Sequence, residues 1–134
     1  GKPTNIAKYN EIVGLKDKFI EEGIIMEILR TAYVYVRNVY AGKLCETDDG
    51  YLFSYDSDYI ESYGASAVSL TMPLYKQTYT SKTLFPFFDG LIPEGWLLQV
   101  VSRNWKINIQ DRFGLLIVSC KDCIGNVSIK EVKE

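Results

Sequence analysis

The chain has 134 residues, 47% of them hydrophobic and 24% charged, and a formal net charge of -2. These are the values of one globular domain that completes its core without disulfides or metals, not of a disordered chain. The slightly acidic balance argues against a free-standing nucleic-acid binder, which needs a basic footprint to compete for phosphates, and the longest nearly apolar stretch, Gly114 to Val118, is far too short to span a bilayer.

The first ten residues are polar. From Glu11 to Arg30 a helical pattern is expected, with Ile12, Leu15, Phe19 and Ile24 or Ile28 on one stripe and lysines and glutamates opposite. Gly14 and Gly23 weaken it, so one helix or two short ones fit, either capping the domain or reaching out to a partner. At Tyr33 the period changes to two. Tyr33 to Tyr40 reads as a strand, Ala41-Gly42 as a tight turn, and Lys43-Leu44-Cys45 as the returning strand of a hairpin. Asp48-Asp49-Gly50 marks another turn and Tyr51 to Tyr55 a third strand. Asp56 or Ser57 then caps a short helix that Gly64 ends.

Val68 to Pro73 is extended in character, and residues 75–83 form a polar loop. Leu84 to Leu91 is an aromatic-rich helical segment stopped by Pro93. Glu94 starts the next helix, which runs to about Trp105, and Asp111 to Ser119 is a further short helix. Gly125 to Val132 alternates as a final strand, with Val127 and Ile129 on one side. The fold class expected is therefore α+β: an antiparallel sheet with a hairpin start and short helices packed on one face, closed by a C-terminal strand. The expected division is an N-terminal helical extension over 1–32 and a domain over 33–134.

The chemistry of catalysis is sparse. The sequence has no histidine, the commonest general base and metal ligand. Cys120 and Cys123 have CxxC spacing, suited to a redox pair or half a zinc site, but Cys45 is the one other thiol, and buried structural thiols are the better expectation. The odd cysteine count, with no secretion segment, fits a reducing cytoplasm. There is no GxGxxG or GxxxxGK[ST] run to cradle a phosphate, and adjacent carboxylates such as Asp48/Asp49 diverge rather than form a dyad. No cofactor, metal or catalytic residue is expected.

One segment is distinctive: Leu84-Phe85-Pro86-Phe87-Phe88-Asp89-Gly90-Leu91-Ile92-Pro93-Glu94-Gly95. It resembles the FFDxLLPEG signature of the N-terminal subdomain of HipA-type kinases. Val39 to Leu44 resembles the opening hairpin of that family, Leu52 to Asp56 its F-x-Y strand, and Val68 to Leu74 its LSLSLPL run. Asp111 to Leu116 resembles the D-x-F-x-L-L helix and Asp122 to Val127 the D-x-x-G-A-V closing strand. The resemblance covers residues 33 to about 131. It departs from the pattern at Ile92 and Cys120, and the ATP loop and catalytic and metal-binding aspartates of the kinase core have no counterpart.

The resemblance implies a protein-binding subunit of a toxin–antitoxin system whose partner is a HipA-like serine/threonine kinase (HipT), with a HipB-like DNA-binding repressor in a larger complex, and no direct contact with nucleic acid or membrane. The alternative is an N-terminal fragment or scaffold subunit of a HipA-type kinase with no inhibitory role; a homo-oligomer built on strand edges is a further one. The expected partner-binding residues are Trp96, with Pro93, Glu94 and Gly95 at its corner, and Tyr75, Tyr79 and Lys82 on the loop. Trp96 sits at the edge of a Leu97, Val101, Trp105 stripe, so it is either an exposed anchor or a ring closing the core margin. Phe85, Phe87 and Phe88 are expected in the core.

Overall fold

The computed structural model describes residues 18–21, 24–120 and 126–131. In chain order its strands and helices are β1 (Lys18–Glu21), β2 (Ile24–Val36), β3 (Val39–Thr47), β4 (Gly50–Tyr55), α1 (Ser57–Glu61), β5 (Thr78–Ser81), α2 (Pro86–Asp89), α3 (Gly95–Trp105), α4 (Arg112–Ser119) and β6 (Val127–Glu131). The strands form one antiparallel sheet in the order β1-β2-β3-β4-β5, and β6 pairs with β2.

The α+β class with an antiparallel sheet and helices on one face holds, but the C-terminal strand does not close the sheet. A closed sheet needs its outermost strands to pair with each other. Here β6 pairs with β2 from Ala32↔Glu131 to Val36↔Val127, while β5 pairs with β4 at the other side. The helices between β5 and β6 carry the chain back across one face and deliver β6 beside β2, so the sheet remains open.

The helix expected over Glu11 to Arg30 is overturned where it is described: Lys18–Glu21 and Ile24–Val36 are strands paired as a hairpin, from Lys18↔Glu27 to Glu21↔Ile24. Residues 1–17 lie outside the described residues. β-Branched side chains, Ile24, Ile25, Ile28 and Thr31, favour the pleated form. The alternation that signals a strand is broken by a bulge: Ile28 faces Thr47 and Arg30 faces Glu46, leaving Leu29 unpaired between them. An extra residue shifts the phase of every side chain before it, so Met26 and Ile28 do not fall in register with Ala32 and Val34.

A second shift misplaces the expected hairpin turn. The turn is Arg37-Asn38, both at positive φ (48° and 65°), joining Val36 to its partner Val39. Ala41-Gly42 lies within β3, where Val34 faces Gly42 and Tyr35 faces Tyr40, so Ala41 is the bulged residue. Gly42 is needed there because a Cβ would stand 2.2 Å from the Ser54 carbonyl oxygen of β4. The turn at Asp48-Asp49, strand β4, the Glu94-initiated helix, the Asp111-capped helix and the last strand lie where the sequence pattern puts them. Residues 68–73 form bends and turns rather than an extended run, and the loop expected over 75–83 contains strand β5.

The main core lies between the sheet and the helices. Val34, Leu44, Phe53, Tyr55 and Ile129 from the strands meet Tyr59, Phe88, Phe113, Leu115 and Leu116 from the helices. Phe85 and Phe88 are buried and Phe87 is half-buried, as expected; Phe88 holds the centre, its ring centroid 5.7 Å from Phe53 and 5.3 Å from Phe87. A smaller cluster of Met26, Cys45 and Leu52 occupies the other face.

One polar clamp ties β2, β3 and α4 together. Arg30 Nε donates to Glu46 Oε1 at 2.7 Å and Nη2 donates to Asp111 Oδ1 at 2.6 Å, while its guanidinium stacks 5.0 Å from the Phe113 ring centre. Asp111 also caps α4 by accepting from the Gly114 amide at 3.1 Å. The Arg30 hydrogen bonds, the largest influence, hold the Asp111 carboxyl below its ordinary range, and the two carboxylates hold the Arg30 guanidinium firmly protonated.

Candidate protein-binding surface

The corner before α3 is built by its backbone. Ile92 is buried and Pro93 half-buried, so the segment is anchored from below. Glu94 is the exposed N-cap residue, in an extended conformation and without a side-chain capping bond. Gly95 begins the helix at φ 62°, a conformation that strains any other residue, with open space where a Cβ would stand. Trp96 is the second residue of α3; its side chain lies outside the described part.

The stripe expected to seat this helix, Leu97, Val101 and Trp105, is mostly on the surface: Leu97 is 46% and Trp105 53% exposed, and Val100 is exposed as well. The residues that pack α3 onto the core are Leu98 and Val101. The difference is a helix phase about one residue further on. The far end is closed by Lys106 in the left-handed region and by the Ile107 amide donating to the Ser102 carbonyl at 3.0 Å.

The loop residues divide. Tyr75 is 90% exposed. Tyr79 is half-buried against the core; its hydroxyl donates to the Pro73 carbonyl at 2.6 Å, and Lys76 Nζ sits 5.2 Å from its ring centre. Its first role is thus to hold the loop. Lys82 pairs with Asp49 at 2.5 Å, at the β3–β4 turn, whereas Tyr75 lies beyond the opposite end of β5. The structure therefore groups Pro93, Glu94, Gly95 and Trp96 in one corner and sets Lys82 apart from Tyr75.

Sequence reasoning missed how the segment between α1 and β5 is held. Three tyrosine hydroxyls from the core reach it. Tyr59 donates to the Ser66 carbonyl at 2.6 Å and Tyr55 donates to the Met72 carbonyl at 2.5 Å while accepting from the Val68 amide at 2.9 Å; Tyr79 holds Pro73. Burial is the main reason that the Tyr55 hydroxyl is pushed up to about 12, partly offset by the Val68 amide. Nothing in the sequence around Tyr55, Tyr59 and Tyr79 names the distant carbonyls that they meet.

Among the described residues no group of three or more His, Cys, Asp or Glu side chains is placed to hold a metal. Cys120 is buried with its Sγ 3.7 Å from the Leu91 carbonyl, and Cys123 lies outside the described residues. Burial pushes the Cys45 thiol up, away from the reactive thiolate. Among the described residues no helix is long and apolar enough to cross a membrane.

The described residues thus form an open antiparallel sheet with helices on one face and several large apolar side chains at the surface. The HipA N-terminal domain family matches residues 32–130, and the chain belongs to that family. The chain is 32% identical over 108 residues to a Haemophilus influenzae protein described as uncharacterized, a match covering 81% of this chain and 98% of that protein. A solved structure of the N-terminal domain of HipA toxin superposes with a TM-score of 0.63 at 29% identity, covering 81% of this chain and 97% of that one. The family is a non-catalytic regulatory module distinct from the kinase domain, and it ties the chain to toxin–antitoxin systems and to HipA-like kinase toxins.

Proposed function

We propose that the chain is a HipS-type subunit of a tripartite toxin–antitoxin system, which binds a HipA-like serine/threonine kinase (HipT) in the cytoplasm and neutralises it. The observation that carries this is the coverage of the Haemophilus influenzae relative: a match to 98% of its length makes that protein this domain and little more. The module thus occurs as a small protein, which supports the reading that its lobe is supplied to a kinase in trans. Residues 33–134 carry the contact, and the described part of 1–32, Lys18–Glu21 and Ile24 onward, extends the same sheet. A HipB-like DNA-binding repressor completes the larger complex. Trp96, presented by the Pro93-Glu94-Gly95 corner, is the main anchor in or beside the kinase cleft. A second function, a scaffold lobe of a HipA-type kinase with no inhibitory role, is favoured by the match to a domain of a HipA toxin.

The test is co-expression with the kinase encoded beside it. One complex on a sizing column at micromolar concentration, with kinase autophosphorylation suppressed, is expected; separate elution refutes binding, and a complex with full kinase activity selects the scaffold. Trp96→Ala should weaken binding at least about 30-fold, as loss of a well-packed indole does, at an unchanged melting temperature. Equal binding by that variant removes Trp96 from the contact.

A further inference from the structure

A leucine that stays in water after folding contributes nothing to the core, and few segments as irregular as residues 66–75 are held so firmly. Leu70 is 99% exposed and Tyr75 is 90% exposed. Between and before them the backbone is fixed at four points. Ser66 is held by Tyr59, Val68 and Met72 by Tyr55, and Pro73 by Tyr79. Leu70 itself stands within a turn closed by the Met72 amide donating to the Ser69 carbonyl at 3.0 Å. Val68 and Met72, on either side, are buried. The core therefore grips both flanks of the turn and turns its one large apolar side chain outward.

From this we infer that the 66–75 segment is a preformed docking knob: Leu70 and Tyr75 enter an apolar pocket on the HipA-like kinase, at a second contact separate from the Trp96 corner. The inference rests on the kinase-binding function proposed above and extends it. Area supports the assignment. A stable interface takes roughly 800 Å² from each partner, spread over some 20–30 residues. The corner at Pro93 to Trp96, even with the exposed Leu97, Val100 and Trp105 of the same helix, offers far fewer residues than that. A tyrosine alone brings about 150–250 Å², and Leu70 adds nearly its whole side chain. Rigidity supports it as well, because a loop already held in one conformation loses little entropy on docking. Of the other exposed large apolar side chains described, Ile25, Leu29 and Val39 stand on strands and Leu97, Val100 and Trp105 on α3, whereas Tyr63 stands in the adjoining turn, where the Ala65 amide donates to the Ser62 carbonyl.

Leu70→Ser and Tyr75→Ser in the full chain, titrated calorimetrically against the catalytically inactive kinase, test this. Each substitution is expected to weaken binding about tenfold or more and to leave the melting temperature within about 2 °C of wild type. Ile25→Ser, at an exposed position on strand β2, is expected to bind as wild type. Affinities within about threefold of wild type for both loop variants overturn the knob; if Trp96→Ala still binds poorly in that case, the kinase-binding function stands without it. If the wild-type chain fails to bind the kinase, the kinase-binding function fails and the knob's assigned occupant falls with it. Self-association of the wild type that Leu70→Ser abolishes in sedimentation assigns the knob to a second copy, which also overturns the kinase as its occupant.

Discussion

Arg30→Met isolates the clamp, because methionine keeps an apolar stem over Phe113 and removes only the charge. Arg30 donates four hydrogen bonds to two carboxylates, at 2.7 and 2.9 Å to Glu46 and at 3.0 and 2.6 Å to Asp111. Charge-assisted bonds are worth about 1.5–3 kcal/mol each when shielded. The side chains are 38%, 22% and 33% exposed, so water takes over part of each interaction and the bonds share one guanidinium. The loss expected is therefore about 2–3 kcal/mol rather than the sum, or roughly 6–12 °C in melting temperature for a domain of this size.

Acid provides an internal check on that figure. The folded-state Asp111 carboxyl is held below its unfolded value, mainly by the Arg30 hydrogen bonds. Its stabilisation is complete above the unfolded value of 3.8 and is lost as pH falls through the lower folded one. The gap between wild type and Arg30→Met, measured by urea unfolding, should be constant from pH 6 to 8 and shrink as Asp111 is protonated in acid. A variant melting within about 2 °C of wild type at pH 7, or a gap that does not shrink in acid, refutes the reasoning.

Further outcomes are expected. Gly42→Ala drives a methyl group to 2.2 Å from the Ser54 carbonyl and should cost about 1–3 kcal/mol in urea unfolding, or prevent soluble expression. Tyr55→Phe keeps the ring and removes the hydroxyl that holds Val68 and Met72; amide exchange at Val68 should quicken, with a global loss of about 2 kcal/mol. Cys45, only 2% exposed, should react with a thiol reagent no faster than the chain unfolds, in contrast to a thiol poised for catalysis. Calorimetry with ATP and magnesium should show no binding; micromolar affinity would contradict a non-catalytic module.

What the sequence made legible follows from how local the signals are. Strand β4, the Asp48-Asp49 turn, the Asp111 cap and the closing alternation at Val127 and Ile129 are written in neighbouring residues, and all stand where expected. The phenylalanines of the distinctive segment were placed in the core by their hydrophobicity alone. The first long strand was lost because the bulge at Leu29 erases the two-residue period across it, leaving a pattern that imitates a helix. The turn was misplaced for a related reason: Gly42 meets a steric demand from β4, a strand not adjacent in sequence at that point, while Arg37 carries no turn signature. The site shows the same limit. The Pro-Glu-Gly corner could be read locally, but the exposure of Leu70 and Leu97 depends on which helix phase and which distant hydroxyls the fold selects.

The paired bulges at Leu29 and Ala41 also set how the gene can change in length. A strand tolerates substitution more readily than insertion, because one residue gained or lost exchanges its two faces. Deleting Leu29 would make the ladder regular with Ile28 still opposite Thr47 and Met26 still on the face of Cys45 and Leu52, so this bulge is a place in β2 where a residue can be lost without exchanging the faces. Deleting Ala41 would likewise keep Tyr40 opposite Tyr35 and beside Tyr33, but would take a fully buried residue out of the core. Length changes that survive in this lineage should therefore fall outside β2 and β3, or at the Leu29 bulge, where the faces do not depend on the extra residue.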